Sequence, residues 1–259
     1  MKLSPMMQQY MKIKDQYKDC ILFFRLGDFY EMFFDDAILA SKELELTLTG
    51  KSCGQEERAP MCGVPFHAAE SYISKLVEKG YKVAICEQTE DPALAKGIVK
   101  REVIQVVTPG TLTSQSVLSE KENNYLAAVF AEEGAMSVCY CDISTGELYL
   151  TEYKGPDIYS AILNELVKIK AREIICSRQF ADEYSLDEIK HTTEAYINIL
   201  SDEYFSIKCA EDSIKSQFGC ISLTGLGLDF RPLAVLSLGA LLSYLMETQK
   251  QNLTHITHI

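Results

Sequence analysis

Two side chains stand out for the chemistry their spacing allows: Phe29 and Glu31, inside Gly27-Asp28-Phe29-Tyr30-Glu31-Met32-Phe33. In an extended segment, residues two apart project from one face. An apolar plate then stands beside a carboxylate, a pairing suited to a wedge with a hydrogen-bond acceptor next to it. A second reading of the same residues is a core-filling segment with Glu31 turned to water. Lys51 and Arg58 are the two basic side chains of a polar stretch from Thr47 to Arg58; loops carry binding residues more often than cores do, although most loop lysines only solubilise. His67 has no nucleophile or acid partner around it, so a hydrogen-bonded structural histidine fits it better than catalysis. Asp142 at a strand end, with Glu147 after it, raises metal-dependent nuclease chemistry. Two-metal sites need more carboxylates than these, so a turn-capping Asp142 within Asp142-Ile143-Ser144-Thr145-Gly146 is the better reading. Cys139 and Cys141 have no second pair or histidines at ligand spacing. The nine cysteines read as free, buried thiols of a reducing cytoplasm. Leu223-Thr224-Gly225-Leu226-Gly227-Leu228 lacks the Gly-Lys-Ser/Thr of a phosphate loop and reads as a tight turn.

These residues must be positioned by regular elements. Ser4-Pro5 is a helix start, and Met6, Tyr10, Ile13 and Tyr17 extend an amphipathic helix over residues 5–18. Lys12, Lys14 and Lys18 read as its solvated side. Ile21 to Leu26 is a buried strand that turns at Gly27, and a helix follows near 36–46. Thr47 to Arg58 reads as loop, and Pro60 to His67 as a rigid connection with two prolines. A helix over 68–79 stops at Gly80, strands span 81–88 and 103–108, and Asp91-Pro92 begins a short helix. Alternating strands and helices imply a mixed sheet with helices on its faces.

Three apolar runs, 125–130, 136–142 and 147–151, are separated by Glu133-Gly134 and Thr145-Gly146, which read as hairpin turns. A helix at 157–169, a strand at 173–176, an acidic irregular region to about 204 and a helix near 207–217 follow. Pro232 opens a buried helix to 249. Its uncharged run, Pro232 to Met246, falls short of the roughly 20 residues that a membrane span needs.

The chain has 259 residues, which suits two domains at roughly 100–200 residues each. Its net charge of −12 excludes general attraction to phosphates, which depends on basic groups displacing counterions. Up to Thr113 the chain carries 14 basic against 16 acidic residues, and beyond it 11 against 21. The first part can touch DNA locally. The second is a poor DNA surface, better suited to contact protein or act as a spacer.

Several blocks resemble the bacterial MutS family, which recognises DNA mismatches. Arg25 to Phe33 is similar to the family's Phe-X-Glu motif. Pro5-Met6-Met7-Gln8-Gln9-Tyr10 resembles the start of its mismatch-binding domain. Pro60 to Ala68, Val83 to Gln88 and Val107 to Thr111 match later blocks in order, and Asn123 to Ala128 resembles the start of its connector domain. The resemblance implies an α/β chain of two domains: a mixed-sheet mismatch-binding domain over 1–113 and a ribonuclease H-like connector over 123–250. A linker at 114–122 joins them, and 251–259 begins a further, truncated domain. It implies Phe29 as the wedge that stacks on the mispaired base, Glu31 as the group bonded to that base, and Lys51 and Arg58 as phosphate contacts. It also implies mismatched double-stranded DNA and a MutL-type protein as partners, a homodimeric parent, and a cytoplasmic location without membrane attachment. No catalysis is expected of these residues, and ATP and magnesium belong to an ATPase domain outside them. Two other functions compete: a metal-dependent nuclease, and a protein-binding fragment that has lost mismatch reading. The presence of both Phe29 and Glu31 counts against the latter.

Overall fold

The computed structural model describes residues 3–90, 97–113, 123–132, 134–250 and 253–259. The chain forms two compact units, Met1–Thr108 and Pro109–Ile259. Each is mixed α/β. The short helix expected at Asp91-Pro92, the linker at 114–122 and Glu133 of the first hairpin turn lie outside the described residues.

The first unit is a six-stranded sheet. Its strands are β1 (Cys20–Leu26), β2 (Phe29–Phe33), β3 (Thr49–Lys51), β4 (Ala59–Pro65), β5 (Lys82–Gln88) and β6 (Arg101–Val107), in the order β3-β4-β2-β1-β5-β6. Only β1 and β5 run parallel, with Leu22 opposite Ala84. A parallel neighbour needs a crossover, and the helices α2 (Phe34–Leu44) and α3 (Ala69–Glu78) lie in that connection. The first five residues of β1 are buried, as a strand covered on both faces requires. Helix α1 (Pro5–Lys14) packs Met7 and Tyr10 against Phe24 and Phe33. Ser4 caps it by accepting the Met7 N–H, and Pro5 opens it.

Three expectations for this unit are corrected. Helix α1 ends at Lys14 rather than 18, because the backbone goes over to tighter turns there, the Gln16 N–H donating to the Ile13 carbonyl and the Tyr17 N–H to that of Lys14. Lys14 itself reaches the buried carboxylate of Asp36 at 2.8 Å instead of facing water. The stretch expected as loop contains β3, and the segment from Pro60 to His67 is β4 followed by a turn of 3-10 helix. The prolines are tolerated because they stand at the second and last positions of β4, towards its ends.

The second unit contains β7 (Tyr125–Glu132), β8 (Ala135–Asp142), β9 (Glu147–Lys154), α4 (Ile158–Ile169), β10 (Glu173–Ser177), α5 (Arg178–Glu183), α6 (Leu186–Thr193), β11 (Tyr196–Leu200), α7 (Ile207–Phe218) and α8 (Pro232–Gln249). The sheet order is β11-β10-β7-β8-β9, three antiparallel strands followed by two parallel ones, as in a ribonuclease H-like sheet. One face packs on α8 and α7 through Leu238, Leu241, Leu245 and Ile214. The other packs on α4 and α6 through Ile162, Leu166 and Ile189. The region expected as irregular up to 204 is therefore α5, α6 and the edge strand β11. The tail differs too: Leu253 and Ile256 are buried in the core beside α8, and the His255 ring lies 2.7 Å from the Ile143 carbonyl. Residues 253–259 thus pack within the second unit.

Seven cysteines are buried and free, as expected, but Cys209 is exposed and Cys220 half-buried. Among the described residues, no helix is long and apolar enough to cross a membrane.

Candidate nucleic-acid interface

Strands β1 and β2 form a hairpin in which Leu26 pairs with Phe29, leaving Gly27 and Asp28 as a two-residue loop. Gly27 takes φ +59, a conformation that favours glycine at the first position of such a turn. Pairing then alternates: Phe29 opposite Leu26, Tyr30 opposite Arg25, Glu31 opposite Phe24. Phe29 and Glu31 therefore share the face that carries Phe24 and Phe33, while Tyr30 and Met32 point into the opposite layer. The root of the hairpin is fully buried, with Phe24, Met32 and Phe33 at 0% exposure, yet Phe29 at the tip is 47% exposed. A large apolar ring held out on a rigid root is the geometry of a wedge.

The other side of β2 pairs with β4, placing Phe29 opposite Pro65 and Glu31 opposite Gly63. The Phe66 N–H donates to the Asp28 carbonyl at 2.9 Å, so the half-exposed Phe66 ring stands beside the hairpin tip. The Arg25 guanidinium stacks 3.9 Å from the Phe66 ring centroid. Its Nε donates to the Gly27 carbonyl at 2.6 Å, and its Nη1 lies 3.3 Å from Glu87. Glu87 also accepts the Tyr30 hydroxyl, whose pKa is pushed up by burial and then by that carboxylate. One arginine thus fixes the loop, the second aromatic ring and the opposite layer. Arg25 interrupts an apolar run and Phe66 follows a proline. Both signals were present in the sequence, but only pairing in space joins them to Phe29.

Glu31 is not a bare acceptor. Its carboxylate lies 2.5 Å from Lys51 Nζ, with side-chain exposures of 15% for Glu31 and 33% for Lys51. A Cβ at Gly63 would sit 3.1 Å from the Tyr30 carbonyl oxygen and in ordinary contact with Glu31 Cγ at 3.4 Å. Arg58 is exposed, and its side chain runs over Gly50. Lys51 and Arg58 therefore flank β3 and β4 on the sheet that carries the hairpin, and only Lys51 reaches the Phe29–Glu31 strand.

The hairpin is anchored from behind. Asp36, 6% exposed in the first turn of α2, accepts the Leu22 N–H at 3.0 Å. The Tyr10 hydroxyl lies 3.2 Å from both Asp36 and the Phe33 carbonyl. Between β2 and α2 the chain reverses at Phe34, with φ +52, a strained value for a bulky residue.

The remaining candidates separate. His67 is exposed and lies edge-on to Phe66, with no hydrogen bond among the described residues, which corrects the expected structural role. Asp142 is 2% exposed and accepts the Asn124 N–H at 3.0 Å, the Ser144 N–H at 2.8 Å and the Ser144 hydroxyl at 2.6 Å. Its oxygens are occupied in capping a turn, as expected. Glu147 is exposed on the paired strand. Among the described residues, no three His, Cys, Asp or Glu side chains are placed to hold a metal ion.

Two family models match, one over each unit, the first running eight residues past Thr108. The model of MutS domain I matches residues 4–116 and that of MutS domain II matches residues 124–257. The chain belongs to the MutS family. It is 52% identical over 258 residues to the DNA mismatch repair protein MutS of Lachnoclostridium phytofermentans, covering 99% of this chain and 27% of that protein. It is 51% identical over 255 residues to MutS of Acetivibrio thermocellus, covering 98% and 29%. The chain spans less than a third of the length of these relatives.

Proposed function

We propose that the first unit reads mismatched base pairs in DNA, with Phe29 as the wedge and Glu31 as the base acceptor. The observation that carries this reading is a half-exposed phenylalanine on a fully buried hairpin root, sharing its strand face with a carboxylate. A mispaired step stacks poorly and is cheap to open, and an apolar wedge entering the minor groove kinks the duplex there. Stacking of Phe29 on the exposed base contributes about 1–3 kcal/mol. A carboxylate near phosphates is repelled unless it finds a hydrogen-bond donor. Glu31 therefore disfavours regular duplex more than a base free to rotate or carry a proton. Selectivity comes from deformability, with no sequence code. Arg58 and Lys51 supply phosphate contacts beside the hairpin.

The acidic second unit serves as the connector. It passes the bound state to the rest of a homodimeric MutS and offers a surface to a MutL-type protein. Neither unit has a catalytic role. ATP and magnesium act in the ATPase domain of the full-length protein. The test places a fluorescent base analogue at a mispair and binds it to a full-length MutS carrying residues 1–259. Insertion of Phe29 changes the emission, and Phe29→Ala abolishes that change. The same change with the variant would rule out the wedge.

A further inference from the structure

We infer that Lys51 is the counter-ion of Glu31 and sets how strictly mismatches are distinguished from matched pairs, an inference that rests on the mismatch-reading role of Glu31. Three observations meet here. The Glu31 carboxylate, two residues from the exposed Phe29, is engaged at 2.5 Å by Lys51 Nζ. The registers set Lys51 opposite Ala59 and Glu31 opposite Gly63, four residues apart along β4, so the long Lys51 side chain runs along that strand to reach the carboxylate. Lys51 Nζ also stands 5.8 Å over the Phe33 ring, on the same face of β2. The cation is therefore held over the reading strand and is not a freely waving surface lysine.

Charge then dictates the sequence of events. A bare Glu31 would be repelled by any phosphate backbone the hairpin approached. Pairing with Lys51 weakens that repulsion as the hairpin approaches DNA. On a matched duplex the bases stay stacked and paired, none turns towards the carboxylate, and the ion pair persists. On a mispair the opened base supplies the donor and Glu31 exchanges partners. The released ammonium is then free for the nearest phosphate, so neither charge is left without a partner. Lys51 thus masks the carboxylate until a base replaces it, which is a different task from a constant phosphate contact.

The test is a double-mutant cycle in a full-length MutS carrying residues 1–259, measured with mismatched and matched duplexes at one salt concentration. Lys51→Met unmasks Glu31 and weakens matched binding more than mismatched binding. The mismatch-to-matched affinity ratio rises about threefold, the range of a partly exposed ion pair. Lys51→Arg keeps the charge and returns the ratio to wild type. In a Glu31→Gln background, Lys51→Met leaves the ratio unchanged. Equal weakening on both duplexes, or the same ratio shift with and without Glu31, would overturn the inference and leave Lys51 a plain phosphate contact. Phe29→Ala, measured alongside, separates the two failures. If it abolishes discrimination while the Lys51 shift is missing, only the role of Lys51 falls. If discrimination survives it, the reading of Phe29 falls, and with it the ground for Lys51.

Discussion

Asp36 is the buried hinge on which the reading hairpin depends. Substituting alanine removes three interactions at once: the Leu22 N–H at 3.0 Å, the Tyr10 hydroxyl at 3.2 Å and Lys14 at 2.8 Å. Leu22 lies beyond the stretch of β1 paired with β2, which begins at Phe24, so its amide has no β2 partner to return to. A buried amide left without an acceptor costs about 1–3 kcal/mol. Breaking a buried ion pair costs about 3–5 kcal/mol. The Lys14 side chain is 20% exposed and can turn to water, which lowers that figure. The loss should come to about 3 kcal/mol for Asp36→Ala, and about half of that for Asp36→Asn, which keeps one acceptor oxygen. The assay is amide hydrogen exchange resolved by peptide, because a two-unit chain has no single unfolding free energy. With tenfold for each 1.4 kcal/mol, exchange across β1 and β2 should quicken roughly 150-fold in the alanine variant, while β7 to β11 keep their protection. Protection of β1 within about fivefold of wild type would refute this reasoning.

Two further outcomes follow from the packing. Gly239 on α8 faces α7 so closely that an added Cβ would lie 2.3 Å from the Ala210 Cα. Gly239→Ala should lower the stability of the second unit by about 2–3 kcal/mol, reversing the gain of about 1 kcal/mol that this change gives in an open helix, as read by exchange in β7 and β8. Unchanged protection would contradict that packing. Burial pushes the thiols of Cys20, Cys86, Cys141 and Cys176 from 9.0 up to about 12. A raised pKa leaves stability intact below pH 9 and removes it as pH climbs towards 12, because the unfolded thiol ionises first. At pH 8 a thiol reagent should label Cys209 first and these four only after unfolding, and rapid labelling of Cys86 in the native chain would contradict their burial.

How much of this was legible in the sequence depended on where each element keeps its signal. Strand β1 and helix α8 carry theirs locally, in unbroken apolar runs, and both were evident. Phe29 and Glu31 stood out by spacing and by their resemblance to a family motif. Strand β4 was hidden because Pro60, Gly63 and Pro65 mimic a rigid loop, although the prolines fall towards its ends. Strand β11 was hidden because it lies at the sheet edge, where all five residues are only half-buried and the apolar signal is weak. The Lys51–Glu31 and Asp36–Leu22 contacts were invisible for a different reason. They join side chains and strands that only the registers of β1 to β4 bring together, and no local pattern encodes a register.

The most direct measurement compares wild type with Phe29→Ala in a full-length MutS carrying these residues, on a duplex with one mispair and on the matched duplex, at one stated salt concentration. Loss of an aromatic stack of about 1–3 kcal/mol should lower mismatch affinity roughly 5- to 150-fold while matched binding barely changes. A preference for the mismatch that survives the substitution would show that Phe29 is not the reader.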